Sequence, residues 1–189
     1  MVESISHSEF LNRAEQQVEE QLKEVISVFQ NLPEDQLISN NNGGWGIAEC
    51  FDHLNSYADF YLPRLRKSLE KMPPLKGQTT FKHSFLGSYF IKAMDHQQTK
   101  KKYKAMRKHR PTIINNPYAV VSMFIQHLEE LQKIILQANQ KNLMKASVST
   151  SISPFVKINV GDAIQFVLTH NRRHIEQARR NIHSAMNTD

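Results

Sequence analysis

His170-Asn171-Arg172-Arg173-His174 places two histidines four residues apart late in the chain. On a helix, residues at that spacing share a face, with their Cβ atoms about 5–6 Å apart. Both imidazoles can then converge on one cation. Neutral imidazole is the commonest transition-metal ligand among side chains, and two such ligands make half of a site. The same segment also carries Arg172, Arg173, Arg179 and Arg180, so it has a wet side. On a wet surface a histidine pair at this spacing is an ordinary feature that holds no ion. A third ligand elsewhere in the chain would decide between the two readings.

The elements that would carry such a ligand follow from composition and period. The chain has 189 residues and one cysteine, Cys50. That length suits a single domain over residues 1–189 with a core large enough to need no disulfide. One cysteine excludes an internal bridge and fits a reducing compartment. Met1 to Phe10 carries Glu3, His7 and Glu9 and lacks the apolar core of a signal peptide. No apolar run approaches the ~20 residues that span a bilayer. The chain is therefore expected to be soluble and cytoplasmic, with no membrane partner. The net charge is +6, and it is concentrated: from Lys92 to Arg110, eight Lys and Arg stand against Asp95 alone. Only six glycines and few alternating β-branched runs point to helices.

Four long helices are predicted. Ser6 and Glu9 have capping-box spacing, and Leu11, Ala14, Val18, Leu22, Val25, Phe29 and Leu32 draw one apolar stripe up to Pro33. Asn40 to Gly44 is a turn-rich break. A second helix spans about Trp45 to Lys71, with Ile47, Phe51, Leu54, Ala58, Tyr61, Leu65 and Leu69 on its stripe and a kink expected at Pro63. Residues 73 to 116 are the least regular. Phe81 to Met94 has the composition of a short helix, and Lys100 to Pro111 reads as a connection. A third helix starts at Asn116-Pro117 and closes near Lys141-Asn142. Residues 145 to 157, rich in Ser and Thr, read as a loop. A fourth helix runs from an N-cap at Asn159 to His183, with Asp162 favoured in its first turn by the helix dipole. The fold class is all-α, a four-helix bundle with a long connection between helices two and three.

The second helix holds one histidine, His53, which shares a face with Glu49, Cys50, Tyr57 and Phe60 beside the apolar stripe. His170 and His174 share theirs with Ala163 and Val167. Three imidazoles can therefore meet in a cleft between the second and fourth helices, as in bundle sites built from facing helices. Trp45-Gly46-Ile47-Ala48-Glu49-Cys50-Phe51-Asp52-His53-Leu54 resembles the W-s-x-x-E-x-x-x-H-L signature of the DinB-like superfamily. More narrowly it resembles the YfiT-type branch of metal-dependent hydrolases and thiol transferases, in which a late H-x-x-x-H is followed by a glutamine. His170 to Gln177 has that form, and the resemblance covers roughly residues 8 to 185. It implies a four-helix bundle, a divalent metal held by His53, His170 and His174, and a homodimer. Where the branch has a known reaction, a low-molecular-weight thiol is often the co-substrate. Against this, the segment 73–116 is more basic and poorer in proline than that branch.

Three histidine ligands leave at least one open position, the catalytic rather than the structural pattern. Imidazole suits Zn, Ni, Cu and Fe alike, and Zn or Ni is the expectation. Glu49, one turn before His53, is the first candidate for a proton-handling role; an ordinary first-turn carboxylate is its other reading. Tyr57 and Trp45 read as packing residues, and Cys50 as a buried small residue. Gln177 reads as a surface or dimer residue, and His127 as a core histidine ahead of a fourth ligand. His7, His83, His96, His109 and His183 have no helical partner at metal spacing. The leading function is a metal-dependent hydrolase or thiol S-transferase acting on a small electrophile. The basic stretch, with Tyr103 interleaved, raises nucleic-acid binding as a second reading, but no recognition motif accompanies it. A catalytically inert dimeric bundle is the third.

Overall fold

The computed structural model of this chain describes residues 4–40, 44–77, 80–95 and 104–185, with side chains as far as 182. The first long helix, α1 (His7–Glu24), follows a two-residue strand, β1 (Ile5–Ser6). Ser6 caps it as expected, its Oγ accepting from the Glu9 amide at 3.1 Å. The helix does not run uniformly to Leu32. Val25–Phe29 forms a π-helical turn, closed by the Gln30 amide on the Val25 carbonyl at 3.1 Å. Both Val25 and Phe29 face the core there, and Phe29 meets Phe51 edge-on. Pro33 then starts one further short helix, α2 (Glu34–Ile38), which the sequence pattern did not announce. Its carbonyl takes two amides, and Leu37 is the one side chain the segment buries.

α3 (Ile47–Lys71) begins two residues after Trp45, with Gly46 at the N-cap. It continues through Pro63, because Tyr61, Leu62, Leu65 and Leu69 keep one buried stripe across that position. The long connection that follows is only partly irregular. β2 (Thr80–Phe81) pairs antiparallel with β1. α4 (Phe85–Met94) is capped by Ser84 and packs on the last helix. A single 3-10 turn spans Arg107–His109. α5 (Pro117–Ala138) is capped by Asn116, with proline in the first turn. The stretch predicted as a loop after it holds a small hairpin, β3 (Ser147–Ser149) against β4 (Lys157–Asn159). Val148 and Ile158, paired across the hairpin, turn the same way into the core, a tertiary reward invisible to local pattern. α6 (Val160–Ala185) closes the chain, capped by Asn159 on the Asp162 amide at 2.7 Å.

α5 and α6 each pack against both α1 and α3, so the four long helices form the bundle. Phe51, Leu54, Leu65, Phe124, Leu128, Ile135, Ile164 and Leu168 lie in the shared core. The arginines of α6 serve that packing. Arg172 and Arg179 both reach Glu24 at the end of α1, at 2.7 and 2.6 Å. Among the described residues no helix is long and apolar enough to cross a membrane.

Candidate metal centre

α3 and α6 lie side by side, and that contact brings His53 to the pair on α6. One ring nitrogen from each of His53, His170 and His174 falls within 4.8 Å of the others. The Nε2 atoms of His53 and His170 are 3.2 Å apart. Among the described residues this is the one group of three or more His, Cys, Asp or Glu side chains with potential ligand atoms so close together.

The remaining nitrogens fix which atoms face inward. Nδ1–H of His53 donates to the main-chain carbonyl of His109 at 2.5 Å. Nδ1–H of His174 donates to Oε1 of Gln177 at 3.0 Å. Each ring carries one proton when neutral, so Nε2 of both His53 and His174 is a bare lone pair. A ligating histidine is held in this way, by an acceptor on its far nitrogen that sets tautomer and ring angle. Gln177 is thus the orienting partner of His174. It stands three residues further along the same helix, a spacing that could have revealed it.

The rings are kept neutral by their surroundings. Burial lowers the pKa of His53, although its bond to the His109 carbonyl opposes this. Burial holds His170 and His174 well below the ordinary histidine value, and the neighbouring rings and Arg173 add to the effect. Three neutral imidazoles aimed at one point, two of them with lone pairs free, are a donor set suited to a divalent transition ion.

The walls are aromatic. Trp45 lies 4.7 Å from the His53 ring and 5.8 Å from that of His174, centre to centre. Tyr57 lies 4.4 Å from His170, Phe166 stacks on that ring at 5.8 Å, and the two aromatic rings meet each other at 6.4 Å. Tyr57 is partly buried and packs on Tyr61 as well as on His170. The sequence pattern led to an accessible crevice; instead His53, His170 and His174 are 3 %, 3 % and 8 % exposed. Trp45, Tyr57 and the segment around His109 close over them.

The other candidates have partners of their own. Glu49 accepts the Gly46 amide on Oε2 at 2.8 Å, which makes it part of the cap of α3. Cys50 is buried, and burial pushes its thiol up to about 12, so it is no nucleophile. His127 has both nitrogens engaged, by Asn55 and Asp59, away from the trio. His7 reaches the Lys141 carbonyl, and His83 pairs with Asp162. His109, read as an ordinary loop residue, is 3 % exposed and touches the site directly. No sequence spacing links it to a second ligand, and its contribution to His53 is a carbonyl that any residue type carries. His96 and the side chain of His183 lie outside the described residues, as do Lys100, Lys101, Lys102 and Tyr103 of the basic stretch.

The fold is an all-α bundle with a buried histidine trio between its second and last long helices. The chain matches the DinB superfamily over residues 17–178, and it belongs to that superfamily. No match was found among curated proteins or among solved structures.

Proposed function

We propose that the protein is a metal-dependent enzyme in which His53, His170 and His174 hold one divalent transition ion, of the zinc or nickel type. The observation that carries this reading is the trio itself, with ring nitrogens within 4.8 Å and the far nitrogens of His53 and His174 tied to acceptors. When bound, the ion would supply Lewis acidity, drawing the pKa of a water or thiol in the open position down toward neutrality. The reaction would be hydrolysis, or transfer of a low-molecular-weight thiol, on a small electrophile.

The residues of the chain have distinct parts in this. Trp45, Tyr57 and Phe166 form an apolar surround that keeps bulk water from the trio and favours a substrate with an apolar body. Gln177 and the His109 carbonyl keep the ligand nitrogens aimed. Glu49 fixes the start of α3, and with it the height of His53 along the bundle.

Metal analysis of untagged protein, with zinc and nickel added back after chelation, tests the site. Wild type is expected to retain an ion and His170→Ala to lose it while keeping its helical circular dichroism. Full metal content in that variant would overturn the reading. Activity then separates the two reactions: turnover of an electrophile panel that depends on added thiol marks a transferase, and turnover in water alone a hydrolase.

A further inference from the structure

The segment from Met106 to Thr112 lies on α3 and grips it on both sides of His53. Upstream of the histidine, the Asp52 carboxylate accepts from the Thr112 amide at 2.8 Å and from its hydroxyl at 3.2 Å. One turn downstream, Ser56 Oγ stands 3.0 Å from His109 Nδ1. The Tyr57 ring packs on the His109 ring at 4.1 Å, and the Lys108 ammonium stands 5.0 Å from the centre of the Phe60 ring. Between these anchors, the His109 carbonyl meets Nδ1 of His53.

Proton bookkeeping gives the direction of the grip. The Ser56 hydroxyl has one hydrogen, and it goes to the His53 carbonyl at 2.8 Å. Ser56 must then accept from His109, which places the proton of His109 on Nδ1 and leaves its Nε2 a bare acceptor. That Nε2 is buried and has no partner among the described residues. Buried polar groups are otherwise almost always paired. A segment selected only to cover the bundle would not seal a bare ring nitrogen into it; here the ring is the peg that sets the carbonyl against His53.

We propose that residues 106–112 form a positioning strap for His53, and that closure of the strap and loading of the ion are one coupled equilibrium. The proposal rests on the three-histidine reading of the site. With the strap closed, His53 is confined to the tautomer whose Nε2 is a lone pair. With it open, Nδ1 loses its acceptor and the ring can rotate or change tautomer. Coupling of this kind is reciprocal: whatever factor the strap adds to metal affinity, the metal returns to strap closure. The strap also covers the His53 side of the trio, so its opening gives a route to the buried rings. His109 and Ser56 are positioning residues, acting on the ion only through His53.

Ser56→Ala tests this in the full chain. Alanine is a better helix former than serine, so α3 is retained, and a thermal transition measured in chelator confirms it. Zinc affinity is read by competition with a chromogenic chelator. Loss of an outer partner of a metal ligand typically costs 10–100-fold, and about tenfold is expected here, because the carbonyl itself remains. Amide exchange over residues 104–112 is followed with and without zinc, and zinc should slow it in wild type. Wild-type affinity in Ser56→Ala, or strap exchange in wild type that zinc does not alter, overturns the proposal. A wild-type chain that binds neither zinc nor nickel instead overturns the metal site itself, so the two failures are told apart.

Discussion

Nε2 of His53 lies 3.2 Å from Nε2 of His170, and His53 has no proton there to give. Without an ion, the contact is favourable only if His170 carries its proton on Nε2 and donates it to His53. A cation between the rings would take the place of that one hydrogen. The two ligand atoms are thus already at a separation close to that of neighbouring donors around a transition metal, and α3 and α6 need little rearrangement to accept one.

Gln177 is expected to matter to the ion without touching it. Gln177→Ala removes the acceptor on Nδ1 of His174. Zinc affinity should fall 10–100-fold, and stability in chelator should fall by about 1–3 kcal/mol, because the buried Nδ1–H of His174 loses its acceptor. Chelator competition and urea unfolding of the same sample separate the two effects. An unchanged affinity would show that the bond to Gln177 leaves His174 unaided.

What the sequence made readable and what it hid divide along a physical line. His53, His170 and His174 could be placed together because ligand chemistry resides in side-chain type, and helical spacing is a local pattern. The four long helices were readable for the same reason, from stripes such as Leu11-Ala14-Val18 and from caps such as Ser6 and Asn159. His109 was not readable, because its carbonyl acts and any residue offers one. The π-helical turn at Val25–Phe29, the helical turn at Glu34–Ile38 and the β3–β4 hairpin likewise exist because of what they pack against. The closed state of the site belongs with these: the strap covering His53 follows α4 and docks through Asp52 and Ser56, two polar residues whose partners lie more than 50 positions away.

Acid should destabilise the metal-free protein well above the usual carboxylate range. His53, His170 and His174 are held below their ordinary value, and His109 falls to about 4, burial being the first cause for each. Unfolded, all four titrate near 6.5. As pH drops through that value the unfolded chain takes up protons that the fold refuses, so stability falls; above it these groups contribute no dependence. Each ring costs up to about 1.4 kcal/mol per pH unit until its folded pKa is reached. Urea midpoints in chelator between pH 7.5 and 5 are expected to fall steadily with acid. A midpoint independent of pH over that interval would mean that the rings protonate inside the fold.

For Glu49 the geometry predicts a structural phenotype. Its Oε2 holds the Gly46 amide at the start of α3. Glu49→Ala should cost about 1 kcal/mol, the usual value of an N-terminal cap, whereas Glu49→Gln keeps an oxygen for the amide and should cost less. Both are expected to retain the ion. Turnover measured on the Gln variant then distinguishes a cap from a proton carrier: the rate is expected to survive, and its loss with metal and stability intact would assign Glu49 to the chemistry.

Gly87 sets how closely α4 approaches α6. A Cβ there would lie 2.1 Å from Cγ of Asp162. Asp162 cannot step aside, being fully buried and held by His83 Nδ1 at 2.7 Å and by the Ser84 hydroxyl at 2.6 Å. In an isolated helix Gly→Ala would be favourable by about 1 kcal/mol; here the clash, typically 1–3 kcal/mol for an overpacked contact, must exceed that gain, and Gly87→Ala should lower stability. The disturbance has a path to the site, since Phe90 of α4 meets Phe166, and Phe166 stacks on His170. Asp162→Ala should also destabilise, by leaving the Ser84 amide and hydroxyl without their acceptor. The two changes share one contact, so their effects should not add. In the double variant the new methyl group enters the space the carboxylate has left, and the combined loss, measured by urea unfolding, is expected to be smaller than the sum of the single losses. Strict additivity would show that α4 accommodates the methyl group by another route and that Asp162 does not set the spacing of the two helices.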